Sequence, residues 1–309
     1  MIQFNRIMVG IDFTDTDKIV LEYTKMLHRL FKPSIIYFVH AEEDLDDIPE
    51  EILDEYGADI MKPTDESLLE RLEKTVGEYF QSTPETHIHC QVVEGGPFKE
   101  MLHWSHIKQV DLLVVGKKNI ENGKGVLPQR LARKIDASVL FVPEDYEIKE
   151  IEKVLLPLDF SKKSKMATKL AARIFDSNQV EFLGAHCYTL PLGWHKTGKT
   201  KEDFEEIMKS HAEKKFDEYM ETLQDEGLKV KSVFAIDENR EPSEEIISMA
   251  EQNNADLILI GSRGKTDIAT VILGSTTEKL LTHHKPIPIL MVKRKGENIG
   301  FLEALFKLK

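Results

Sequence analysis

Three stretches of this 309-residue chain occur twice, in the same order and at nearly constant spacing. Arg6-Ile7-Met8-Val9-Gly10-Ile11-Asp12-Phe13-Thr14 resembles Lys153-Val154-Leu155-Leu156-Pro157-Leu158-Asp159-Phe160-Ser161, and the two Asp-Phe pairs lie 147 positions apart. Asp111–Gly116 (DLLVVG) resembles Asp256–Gly261 (DLILIG) at an offset of 145, and Val139–Val142 (VLFV) resembles Ile289–Val292 (ILMV). A fixed internal period constrains the fold more than any local propensity, because the same supersecondary unit must be built twice. The chain reads as a tandem duplication, with one copy over residues 1–146 and the other over 151–294. The polar connector Pro143–Glu152 (PEDYEIKEIE) joins them. Each copy is long enough to bury its own core, and 295–309 is left as a tail.

Within a copy, short apolar runs alternate with helical patterns. In the second copy Val154–Leu158, Val180–Cys187, Lys229–Ile236, Asp256–Ile260 and Ile287–Val292 read as strands. Between them Ser161–Phe175, Thr200–Glu226, Ser243–Asn253 and Ser275–His284 read as helices, with Ser161 as an N-cap. The run 256–260 is apolar throughout, as a strand covered on both faces should be. Such alternation predicts an α/β fold, each copy a five-stranded parallel doubly wound sheet. These sheets bind ligands beyond the carboxyl ends of their strands, where strand order reverses.

The sharpest chemical signal lies at that place in the second copy. Gly261-Ser262-Arg263-Gly264 follows an apolar strand, and nine residues later Gly274-Ser275 opens a helix. Glycines at 261 and 264 permit positive φ and close approach of main-chain amides to an anion. Gly274 precedes a helix whose free N–H groups and dipole favour phosphate, and Ser275, Thr276 and Thr277 add hydroxyls there. Arg263 and Lys265 supply positive charge. A plainer reading makes Ser275-Thr276-Thr277-Glu278 a capping box and the glycines turn residues. The two readings are compatible, since a phosphate can take the place of a cap.

The G-x2-G-x9-G-S spacing, with Asp159 at the end of the first strand, resembles the universal stress protein family of the UspA type, over nearly the whole chain apart from the tail. That resemblance implies two tandem Rossmann-like domains of the adenine nucleotide alpha hydrolase kind. It implies ATP, with magnesium, in the crevice between the first and fourth strands of the second copy. Pro157, Leu158 and Asp159 would contact adenine and ribose, and His186 and Cys187 would close the base pocket. Gly261, Ser262, Arg263, Gly264 and Lys265, together with Gly274, Ser275, Thr276 and Thr277, would cradle the phosphates. Asp159 also suits two roles on its own chemistry, binding ribose hydroxyls or capping the next helix. The resemblance further implies that the two domains pair through their last strands as an intrachain imitation of a homodimer. A further homodimer and a regulatory protein partner are open expectations.

The first copy departs from the pattern. Gly116 and Asp12 are kept, but Asn119 replaces the second glycine and Pro128-Gln129 aligns with Gly274-Ser275. Proline has no amide hydrogen to offer a phosphate. Lys117, Lys118, Arg130 and Arg133 read as surface charge, with another anion as the lesser alternative. Nucleotide is therefore expected in the second copy alone.

Several functions are disfavoured. With 54 acidic and 41 basic side chains the net charge is −13, which repels nucleic acid. No apolar run approaches the ~20 residues needed to cross a bilayer, and the amino terminus lacks a signal-peptide pattern, so a cytoplasmic protein without stable membrane insertion is expected. Two cysteines, Cys90 and Cys187, exclude a disulfide framework. His87 and His89 share a strand face but read as surface residues rather than metal ligands. Neither G-x-x-x-x-G-K-[ST] nor G-x-S-x-G is present, and no catalytic residue is assigned. The expected function is an ATP-binding regulatory protein. The alternatives are a slow ATPase, an autokinase modifying Ser275, Thr276 or Thr277, and an interaction scaffold without nucleotide. The tail, with Phe301, Leu302, Leu305 and Phe306 at helical spacing, is expected to pack back on the protein or across a dimer.

Overall fold

The computed structural model describes residues 4–42, 65–118, 126–176, 178–262, 273–293 and 295. In the first copy β1 (Arg6–Ile11), α1 (Thr16–Phe31), β2 (Ile35–Glu42), α2 (Asp65–Gly77), β3 (His87–Glu94), α3 (Pro97–Ile107), β4 (Leu112–Lys117), α4 (Val126–Lys134) and β5 (Ser138–Pro143) follow in order. The second copy repeats the series as β6 (Lys153–Pro157), α5 (Lys162–Ile174), β7 (Glu181–Tyr188), α6 (Lys201–Glu221), β8 (Val230–Ile236), α7 (Pro242–Gln252), β9 (Leu257–Gly261), α8 (Ser275–Thr282) and β10 (Ile289–Val292).

Each copy is a parallel sheet, β3-β2-β1-β4-β5 and β8-β7-β6-β9-β10, and the two fuse into one ten-stranded sheet. The fusion is antiparallel, with β10 against β5 and Leu290 opposite Leu140. Side chains alternate across the pleat, so successive residues of a strand feed opposite faces. In β4, Leu112 and Val114 enter one core while Leu113 and Val115 enter the other. Both cores run unbroken through the two copies. Every residue of β5 and β10 is buried, because helices cover both faces and neither strand is an edge.

Local signals account for the helix ends. Ser161 caps α5, its hydroxyl accepting the Ser164 N–H at 3.2 Å. Thr200 and Asp203 form a reciprocal capping box at the start of α6. That helix stops at Glu221, short of the expected Glu226. The Thr222 N–H turns to the Tyr219 carbonyl, three residues back, and a separate 3-10 turn covers Gln224–Glu226. Gly227 ends it at φ 66°, a conformation that glycine adopts without strain.

The first copy's last helix corrects the alignment drawn from sequence. α4 begins at Val126, so Pro128 is its third residue. Buried Leu131 and Ala132 occupy the places of Leu280 and Leu281 in α8, which puts Val126-Leu127-Pro128 opposite Ser275-Thr276-Thr277. The connection from Gly116 is four residues shorter than that from Gly261. Proline is accommodated there because the first-turn amides of a helix have no intrahelical partner.

Candidate functional site

β6 lies between β9 and β7, so the sheet order reverses at the carboxyl end of β6. A cavity of about 350 Å³ opens there, within the size range of small-molecule clefts. Pro157, Leu158, Asp159, Cys187, Gly261, Gly274, Ser275, Thr276 and Thr277 line it, as does His186. Nine of the thirteen residues singled out from the sequence therefore meet at one place. Ser262 is buried directly behind Gly261 in the chain, and Arg263, Gly264 and Lys265 lie outside the described residues. Ser164, Ala185, Pro242, Ile246 and Ile260 also line the cavity and were not foreseen. They come from β7 and β9, which already contribute, and from two further elements, α5 and α7, whose proximity depends on the sheet order. A wider groove of about 680 Å³ lies at the opposite, amino ends of β6–β8, away from where such sheets place ligands.

The start of α8 is open. Its N-cap is Gly274, in extended conformation at φ −62° and ψ 138°, with no side-chain cap. This corrects the capping-box reading, which required Ser275 in that place. Glu278 instead donates its N–H to the Gly274 carbonyl at 2.9 Å, and among the described residues no side chain caps the first-turn amides. The Thr277 hydroxyl donates to the Gly261 carbonyl at 3.2 Å, tying the helix start to the end of β9. The serine hydroxyls of Ser262 and Ser243 are buried without a hydrogen-bond partner among the described residues. Gly261 is not in the left-handed region, so its need for glycine is steric. A Cβ there would meet the Lys163 carbonyl oxygen at 2.9 Å.

Asp159 closes the other side, its Oδ1 accepting the Ser161 N–H at 3.0 Å. The following Phe160 takes the left-handed conformation at φ 61°, an unusual and costly choice for a bulky side chain. His186 stabilises this bend. Its ring lies 4.3 Å from the Phe160 ring, and its Nδ1–H donates to the Leu158 carbonyl at 2.6 Å. The first copy repeats the device with Phe13 at φ 57°, His40 at 4.3 Å and its Nδ1–H on the Ile11 carbonyl at 2.8 Å. Burial and the charges of Asp237 and Glu245 push the Cys187 thiol up to about 12, which disfavours the thiolate.

In the first copy the aspartate equivalent to Asp159 is already engaged. Lys118 pairs with Asp12 at 2.5 Å, and the Thr14 hydroxyl donates to the other Asp12 oxygen at 2.6 Å. Burial raises the Asp12 pKa, but the Lys118 hydrogen bond and charge outweigh it and hold the carboxyl below its usual range. Thr16 packs so closely on Gly116 that a Cβ there would meet its methyl at 2.7 Å. The four cations read as surface charge are all engaged. Lys117 is buried and donates to the His283 carbonyl, Arg130 lies 4.0 Å over the Phe98 ring, and Arg133 pairs with Glu278.

The model of the Universal stress protein family matches residues 3–143 and again 150–293. The chain belongs to the universal stress protein family. It is 30% identical over 162 residues to universal stress protein MJ0577 of Methanocaldococcus jannaschii, which covers 47% of this chain and 96% of that one. A second protein of that organism, universal stress protein MJ0531, is 26% identical over 144 residues, 46% of this chain and 82% of the other. Among solved structures, a universal stress protein from Archaeoglobus fulgidus superposes with a TM-score of 0.64 at 20% identity, covering 94% of this chain and 99% of that one. The fold of this tandem universal stress protein is thus shared across both copies. No helix among its described residues is long and apolar enough to cross a membrane.

Proposed function

We propose that this universal stress protein binds ATP in its second copy and acts as a nucleotide-dependent regulator rather than a rapid catalyst. The observation that carries the reading is the uncapped start of α8 opening on the same cavity as Asp159. Free first-turn amides at the positive end of a helix dipole suit a phosphate chain, and a carboxylate suits ribose hydroxyls. The apolar wall of Leu158, Ala185, Ile246 and Ile260 suits the face of a purine. The first copy differs in two of these respects: Asp12 holds Lys118, and Val126-Leu127-Pro128 replaces the hydroxyl run. Magnesium would accompany the triphosphate. Binding would order the site and shift a conformational or assembly equilibrium, by as much as its affinities for the two states differ.

The test is calorimetry with ATP and magnesium on matched variants. Asp159→Ala is expected to weaken binding about tenfold or more, the loss of a hydrogen bond to a charged group, while Asp12→Ala leaves affinity unchanged. Mass spectrometry of ligand released on denaturation should find adenine nucleotide in wild type. Absence of binding heat, or equal losses in the two variants, would overturn the assignment.

A further inference from the structure

Two buried lysines cross the joint between the copies in opposite directions. Lys117, the last residue of β4, is 6% exposed and donates its Nζ to the carbonyl of His283, the C-cap of α8. Lys293, just past β10, is equally buried and donates to the Ile135 carbonyl at 2.9 Å and the Arg133 carbonyl at 3.5 Å, at the end of α4. Each copy thus places an ammonium at the carbonyl end of the other copy's last helix, where it meets the negative pole of the helix dipole.

The two helices differ at their other ends. α8 opens on the cavity with Ser275-Thr276-Thr277, whereas α4 opens with Val126-Leu127-Pro128. α8 has eight residues, about two turns, too short to be stable alone, so its order comes from the packing of Leu280 and Leu281 and from what holds its ends. The first copy holds it at two points, since Arg133 also pairs with Glu278 in its first turn.

We infer that Lys117 is a positioning residue for the nucleotide of the second copy: by tethering the end of α8 from the neighbouring domain, it keeps the amides at the start of that helix in place. This rests on the ATP reading given above. The first copy, whose Asp12 is engaged by Lys118, becomes a built-in clamp on its sister's site, and the mirror-image Lys293 provides the internal control. It is as buried and makes the same kind of bond, but it serves a helix without a site.

Full-length Lys117→Met and Lys293→Met are compared by amide hydrogen exchange and by ATP calorimetry. Lys117→Met is expected to speed exchange in α8 about tenfold and to weaken ATP about fivefold. Lys293→Met should speed exchange around α4 and leave ATP affinity at the wild-type value. If Lys117→Met does not fold cooperatively, Lys117→Gln is read by the same two measurements. Wild-type exchange in α8, or equal effects of the two variants on ATP, overturns the proposal. If wild type binds no ATP, the reading of the site fails, yet the exchange of α8 still decides whether Lys117 holds the helix.

Discussion

Asp17 is a buried carboxyl of the first copy. It sits in the first turn of α1 at 7% exposure, with Oδ1 accepting the Asp12 N–H at 3.2 Å and Oδ2 without a partner among the described residues. Burial, helped by the charge of Asp12 and opposed by the Asp12 and Phe13 amides, pushes its pKa up to about 6. The unfolded chain releases this proton near 3.8, so the folded state binds it more tightly. The associated stability is present below about pH 4 and is lost as pH rises through about 6. Asp17→Asn keeps the acceptor and removes the charge. It should be more stable than wild type by about 2 kcal/mol at pH 7.5 and indistinguishable from it near pH 3.5, the scale set by a shift of this size. Urea unfolding at the two pH values measures the difference, and equal stability at pH 7.5 would show that the buried charge costs nothing. Nothing in the local sequence marks Asp17, because its burial is created by packing of α1 on β4. The same is true of His40, whose bond to the Ile11 carbonyl joins two strands, and of the bond from His186 to the Leu158 carbonyl, although the family resemblance does place His186 at the site.

At the scale of an element, α8 exchanges stability for an open end. Gly274 has the backbone angles of an N-cap, a position where Asp, Asn, Ser and Thr stabilise helices better than Gly. Gly274→Asp should therefore cap the amides, add a favourable charge at the positive pole, and raise the melting temperature by about 1–3 °C. The same carboxylate occupies the place proposed for phosphate, so ATP binding should disappear. A variant that melts lower, or one that binds ATP as before, would contradict the account of the helix start. Here sequence and structure part in an instructive way. The strand and helix order was legible because periodicity and the repeat reflect burial directly, and Ser161 and Thr200 cap as their chemistry suggests. The glycine motif located the site. One of its reasons differs in the structure, since Gly261 answers to the Lys163 carbonyl and not to a positive φ. The first-copy alignment slipped by three residues because a proline in the first turn of a helix looks, in sequence, like its boundary. Gly184 makes a similar point. A Cβ there would meet the Phe216 ring at 2.7 Å and Leu158 at 2.9 Å, a crowding visible only once α6 lies across β7. Gly184→Ala should cost about 1–3 kcal/mol in urea unfolding, the usual penalty of overpacking.

For the whole molecule, the decisive feature is that β5 and β10 turn two sheets into one. Both strands are fully buried and apolar (SVLFVP and ILMV), and alone each would be a long unpaired edge. The connector adds further ties. Tyr146 is buried and its hydroxyl donates to the Asp256 carbonyl at 3.5 Å, Arg29 pairs with Glu150 at 2.8 Å, and Lys149 pairs with Asp256 at 2.5 Å. Lys295 makes the symmetric bond to Asp111 at 2.9 Å. Covalent linkage is thus one of several bonds between the copies, and the joint itself should hold them. A protease site inserted at Glu147-Ile148 and cut after folding should leave a one-to-one complex in native mass spectrometry and gel filtration, with ATP affinity unaltered. Leu290→Asp in the same cut protein places an unpaired carboxylate between the strands, at a cost of about 3–5 kcal/mol, and should release the halves. Separation of the cut wild type would mean that the connector, and not the strand pairing, unites the two copies. The tether from Lys117 to α8 depends on the joint as well. Cut protein that stays associated should retain wild-type exchange in α8, whereas the Leu290→Asp halves should exchange there as fast as Lys117→Met.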